Sequence, residues 1–123
     1  MDKAQALHAF WSSFGLKAYD QLTVPDDAQM PYITYSNVSD KLGTPVALTG
    51  SIWYRSAGWE DISRKADEIS RYVNEKGHVV LKTDNGYLYL TGGAPFAQRM
   101  SDDTDDMIRR IYINIMAEYL TAY

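Results

Sequence analysis

Residues 31–72, PYITYSNVSDKLGTPVALTGSIWYRSAGWEDISRKADEISRY, carry the pattern that decides the fold. The run Tyr32-Ile33-Thr34-Tyr35-Ser36-Asn37-Val38 is dense in β-branched and aromatic residues and reads as a strand. Asp40 to Pro45 supplies turn residues, and Val46 to Arg55 reads as a second strand. Val46, Leu48, Ile52 and Tyr54 share one of its faces; Gly50, on that same face, is expected to mark a bulge. The period then changes. Ile62, Ala66, Ile69, Tyr72 and Val73 lie at offsets 0, 4, 7, 10 and 11, the stripe of an amphipathic helix over 59–76. Glu60 and Asp61 suit the positive end of its dipole, and Lys76-Gly77 suits its C-terminal end. Burying each large side chain of that stripe contributes roughly 1.5–3 kcal/mol, so the stripe must pack on the sheet.

Upstream, Leu7, Phe10, Trp11 and Phe14 fall on one face of a helix over 2–14, with Asp2 at its start and Gly15 as its stop. Leu16 to Tyr19 reads as a short strand, and 24–31 as a loop. Downstream, Val79 to Leu90 reads as a hairpin with Asn85-Gly86 as the dipeptide of a type I′ turn. Thr91 to Asp106 holds Gly92, Gly93, Pro95 and an acidic run, and is expected to be a long irregular loop, functional or mobile. The last segment fits two periods. Ile111, Ile113, Ile115, Ala117 and Tyr119 alternate as in a strand. Ile108, Ile111, Tyr112, Ile115, Met116, Tyr119 and Leu120 fit a helical stripe. The β-branched and aromatic density favours the strand.

With 123 residues and 46% hydrophobic residues, the chain suits one domain over 1–123 that buries roughly two-thirds of its unfolded surface. No apolar run approaches the ~20 residues of a membrane helix. The first residues lack the pattern of a signal peptide, and there is no Cys to form disulfides or thiolate metal sites, so a cytosolic birth is expected. The net charge of −4 works against a duplex-DNA footprint, which needs clustered Lys and Arg. The ten tyrosines suit either surfaces that become interfaces or a fold that simply favours Tyr in strands.

Chemistry-bearing patterns are sparse. His8 and His78 have no partner at metal-ligand spacing, which gives both a structural or surface role. Asp102-Asp103-Thr104-Asp105-Asp106 lacks the Gly and the bidentate Glu of a calcium loop, so a solvated or docking role is expected. No serine sits in an activated-nucleophile context, and Gly92-Gly93 precedes no phosphate-loop lysine. Trp53 and Trp59, with Tyr54 and Arg55, could stack on bases in a single-strand binder, against the acidic balance of the chain. No catalytic residue, cofactor or metal is expected.

The order of elements, with MPYITYS at 30–36, the run from Gly50 to Val73 and RRIYINIMAEYL at 109–120, resembles the tail terminator proteins of long-tailed bacteriophages, also called tail completion or minor tail proteins. The resemblance covers most of the chain and rests on pattern and order. It implies an α+β sandwich, a mostly antiparallel or mixed sheet with two main helices packed on one face. It also implies a homo-oligomeric ring, a hexamer, that ends tail-tube growth and meets the head connector. The partners it implies are the chain itself, the tail tube protein and the head–tail connector or head completion protein. DNA is implied only as cargo passing through the lumen, and the location as the virion tail or neck after assembly in host cytoplasm. A ring requires a heterologous interface whose rotation closes. Phe96, Arg99, Met100, Asp102, Asp103, Asp105 and Asp106 are expected to contact a neighbouring subunit or tail protein, and deletion of 95–105 to abolish assembly while sparing the fold. The alternatives are another head–tail joining protein of the neck, or a small monomeric module binding protein or single-stranded nucleic acid. The assignment depends on 106–120 being extended.

Overall fold

The computed structural model describes residues 1–102 and 104–121. The elements run α1 (Lys3–Ser12), β1 (Lys17–Asp20), β2 (Tyr32–Tyr35), β3 (Val46–Arg55), α2 (Glu60–Asn74), β4 (Val79–Thr83), β5 (Gly86–Met100) and β6 (Ile108–Thr121). They form one sheet in the order β1-β2-β3-β6-β5-β4. The β1/β2 pair is parallel and every other pair is antiparallel. This is the expected α+β sandwich with a mixed sheet. Both helices cover one face, where Leu7, Phe10 and Trp11 of α1 and Ile62, Ile69 and Val73 of α2 join Leu48, Ile52, Leu88, Leu90, Ile113 and Ile115 in one cluster. Tyr72 links the helices, its ring 6.2 Å from that of Phe10 on α1 and edge-on to Phe14, just beyond α1, at 5.5 Å. Helix α1 touches β1 and β2 at one end of the sheet and β4 at the other, so the sheet curls around it.

The C-terminal segment is a strand. Ile111, Ile113, Ile115, Ala117 and Tyr119 are buried, while Tyr112, Asn114, Met116 and Glu118 between them are half-buried. A helix would have buried Tyr112, Met116 and Leu120 together, and Leu120 is 41% exposed. Strand β6 sits between β3 and β5 in the middle of the sheet, and its apolar density reflects that position.

Four expectations are corrected. Thr91–Asp106 is not an irregular loop: β5 continues to Met100, with an irregularity between Gly92 and Ala97, and Ala97–Met100 pair with Ile113–Arg110. Glycine and proline signalled a loop where they mark a bulge, because the long β6 offers a ladder to either side of it. Gly50 marks no bulge; it pairs in register with Tyr35 and Ile113. Its missing side chain makes room for Trp11, whose Cη2 would lie 2.6 Å from a Cβ there. The hairpin turn is centred on Asp84-Asn85, since Thr83 already pairs with Gly86. It is not type I′, because no described non-glycine residue has a positive φ. Asp84 is held by Met1, through its amide to the Met1 carbonyl and its carboxylate to the terminal ammonium. Gly86 is required where β6 passes closely, the Leu120 carbonyl lying 2.1 Å from where its Cβ would be. Finally, β2 ends at Tyr35 rather than Val38, although Ser36 still exchanges bonds with Thr49 at 2.8 and 2.9 Å.

Helix ends follow local chemistry. Asp2 caps α1 in a reciprocal box, its carboxylate accepting from the Gln5 amide at 2.8 Å while Gln5 accepts from the Asp2 amide at 2.9 Å. The chain beyond β2 is held by Tyr119, 2% exposed, whose hydroxyl donates to the Val38 carbonyl at 2.5 Å. Tyr119→Phe is expected to cost about 1 kcal/mol, because the carbonyl it releases lies on an exposed segment that water can reach. Urea unfolding measures the loss, and faster amide exchange confined to 37–45 identifies its cause.

Candidate assembly surface

The residues expected to form an interface do not form one surface. Arg99 and Met100 are neighbours on a strand and so point to opposite faces. Arg99, on the helix side, lies over the Trp59 ring at 4.8 Å; Met100, on the outer side, lies near Gln98. Phe96 packs against the hydrophobic cluster at the bulge, away from both. Asp102, Asp105 and Asp106 gather at the end of the sheet where β5 turns into β6, while Asp103 lies outside the described residues.

That acidic turn is ordered by its own hydrogen bonds. The Asp102 carboxylate accepts from the Thr104 amide at 2.8 Å, the Thr104 hydroxyl at 2.6 Å and the Asp105 amide at 3.2 Å. Asp105 accepts from the Met107 amide at 2.9 Å and pairs with Arg55 at 2.5 Å. The Thr104 hydroxyl and amide hold the Asp102 carboxyl below its ordinary value, and the Met107 amide followed by Arg55 does the same for Asp105. A lowered folded pKa stabilises the turn above the ordinary carboxylate value of 3.8 and is lost as pH falls through the lowered one. The turn should therefore keep its structure from neutral pH down to that value and open below it. An NMR titration following the Thr104 and Met107 amides checks this, with Asp105→Asn expected to leave the Met107 response nearly flat.

Two features escaped the sequence reading. Arg109 and Arg110 are adjacent on β6 and diverge to opposite faces. Arg109 lies over Trp59 at 5.4 Å, and its guanidinium donates to the carbonyls of Asp106 at 2.5 Å and Ala57 at 2.8 Å. Arg110 lies over Trp53 at 4.6 Å and Tyr112 at 5.5 Å, and donates to Ser51 at 3.0 Å. Ring contacts continue from Trp53 to Tyr32 at 6.4 Å and from Tyr32 to Tyr19 at 5.7 Å. A ladder of rings and one guanidinium thus crosses β1, β2, β3 and β6 on the face without helices. Its signal in the sequence was the alternation Tyr32, Trp53, Arg110, Tyr112 out of phase with the buried set, legible only once strand neighbours are known. Trp53, Tyr54 and Trp59 do not form a common stacking platform. Tyr54 packs against the core, Trp59 precedes α2 between two arginines, and Arg55 is paired with Asp105.

His8 links two hydroxyls, Tyr35 at 3.2 Å and Ser12 at 3.3 Å. This chain has the order of a nucleophile, a base and an orienter. A phenol in the third place carries no charge to stabilise an imidazolium, and burial together with Asp20 raises the Tyr35 pKa further. His78 stacks on Tyr89 at 5.3 Å. Among the described residues, no three His, Cys, Asp or Glu side chains gather to hold a metal, and no helix is long and apolar enough to cross a membrane.

No protein-family model and no curated protein matches the chain. Among solved structures, it is similar to a chain of the virion of a native gene transfer agent particle, with a TM-score of 0.58 and 20% identity over 95% of this chain and 84% of that one. At that identity the likeness establishes a shared fold.

Proposed function

We propose that this chain is a structural virion protein of the tail-terminator kind. Copies assemble into a ring, a hexamer in this reading, that stops tail-tube polymerisation and joins the tail to the head connector. Its partners are its own copies, the tail tube protein and a head–tail connector or head completion protein, with DNA passing through the lumen. Its place is the tail or neck of the particle. It acts by geometry and has no catalytic step. The observation that carries the reading is the fold shared with a gene transfer agent virion chain over nearly the whole length. Its two faces also suit assembly: one buries the core, and the other presents tyrosines, a tryptophan and an arginine, side chains favoured in interfaces.

The test is removal of the chain from particle-producing cells, followed by electron microscopy. A terminator's loss gives tails of abnormal, uncontrolled length and heads without tails. Tails of normal length that fail to join heads would move the chain to the neck. Particles of normal form would sink both readings.

A further inference from the structure

The sheet leaves three stretches of strand edge without strand partners among the described residues: the outer edges of the terminal strands β1 and β4, and the part of β5 that β4 does not cover. One belongs to β1, which pairs only with β2. The Gln21 amide donates to the Tyr35 carbonyl at 2.9 Å. Alternation along the strand then turns the backbone groups of Lys17 and Tyr19 toward β2, and those of Ala18 and Asp20 away from it. The Asp20 carbonyl accepts from Thr23 at 3.0 Å, whereas the Ala18 amide and carbonyl have no backbone partner among the described residues. A strand laid along this edge would give both groups backbone partners. The edge faces a groove of about 400 Å³ whose far wall is His8 and Ser12 of α1. A second hollow of about 560 Å³ adjoins it, between Lys17 and Tyr19 and the Pro25–Pro31 loop.

A second belongs to β5, while the outer edge of β4 runs in the same sense as β1 and would meet it only in parallel. Strand β4 covers β5 only from Gly86 to Leu90, so Ala97–Met100 pair with β6 on one side and with no strand on the other. Ala97, Gln98 and Arg99 are exposed, and the edge opens on a hollow of about 170 Å³ walled by Ser63, Ala66 and Asp67.

We propose that the β1 and β5 edges are the two halves of one heterologous contact: the β5 edge of one copy, Ala97–Met100, adds to the β1 edge of the next, Lys17–Asp20. This rests on the ring reading and names the surface that closes it. Three observations agree. The part of the free β5 edge beyond the irregularity, Ala97–Met100, matches β1 in length at four residues. The strand directions give β1 and β5 opposite senses in the sheet, so a rotation about an axis along the strands brings them together antiparallel, the stronger pairing. Antiparallel pairing also sets the start of β1 against the end of β5. Lys17, exposed and without an ion-pair partner among the described residues, then meets the turn bearing Asp102, Asp105 and Asp106. The contact also supplies the Ala18 amide and carbonyl with backbone partners. Because the two patches differ, it propagates head to tail and closes only as a ring.

The chain has no cysteine, so the contact can be read by disulfide trapping without background. Lys17→Cys is mixed with Ser101→Cys, and separately with Met100→Cys to bracket the register, at concentrations where light scattering reports association. Glu75→Cys mixed with Lys17→Cys is the control. The expected result is a linked dimer in the mixture, roughly tenfold above the control and above either variant alone, because proximity raises the effective concentration of the thiols. The double variant Lys17→Cys/Ser101→Cys should give a ladder ending at the ring. Association without these links overturns the edge pairing and leaves the ring reading standing. A chain that neither associates nor links at any concentration overturns pairing between free copies, while particle morphology judges the ring reading separately.

Discussion

Gly50→Val is expected to cost about 3 kcal/mol, the upper part of the range for overpacking a filled core. For a chain of this size that lowers the melting temperature by roughly 10 °C. The glycine sits mid-strand with an ordinary φ, so backbone strain is not the cause. The cause is the indole of Trp11, whose Cη2, Cζ3 and Cζ2 would lie 2.6, 2.8 and 3.0 Å from a new Cβ. That ring is 1% exposed, stacked parallel to Tyr35 and edge-on to Phe10, and cannot move aside. Trp11→Leu should destabilise by itself through the space it leaves. The double variant Trp11→Leu/Gly50→Ala should be more stable than the sum of its parts predicts, by about 1 kcal/mol or more. Strict additivity in denaturant midpoints would show that Gly50 is present for another reason.

Ile113→Ala should cost about 4 kcal/mol, near the top of the range for truncating a buried aliphatic residue. Ile113 is fully buried at the centre of the sheet, between Gly50 on β3 and Ala97 on β5. Neither cross-strand neighbour has a side chain able to lean into the hole, so the cavity stays open. Ile108, half-buried at the start of the same strand, is the comparison, and Ile108→Ala should cost less than half as much. Urea unfolding of the two variants measures the gradient. Equal losses would mean that the centre of β6 relaxes freely around the missing atoms.

Much of this fold follows from period and composition. Of the expected α2 stripe, Ile62, Ala66, Ile69 and Val73 are buried as their spacing requires, because a 3.6-residue repeat places those positions on one side whatever they meet, whereas Tyr72, at the margin of the stripe, stays 52% exposed with its ring against Phe14. The alternation in β3 and β6 likewise assigned each residue to a face. The ambiguity at 106–120 was resolvable from β-branched density, since a strand in the middle of a sheet needs just that. The acidic turn was visible as a cluster, but its internal bonds depend on loop geometry, which composition does not specify.

What only tertiary structure decided concerns partners distant in the chain. The sequence shows a glycine at 50; only the fold brings Trp11 against it. Gly92, Gly93 and Pro95 look like a loop until β6 is known to run alongside, because a bulge is defined by the neighbouring strand. Phe96, Arg99, Met100 and the aspartates, expected to contact a neighbouring subunit or tail protein, are close in sequence as parts of one segment. On a strand such closeness divides residues between two faces, so Arg99 went to Trp59 and Met100 to the opposite side. The same rule sent Arg109 and Arg110 to different tryptophans. Period 2 assigns a residue to a face from the sequence alone. Which residues share that face, and which strand edges remain unpaired, depends on strand order, and strand order is set by packing across the whole sheet.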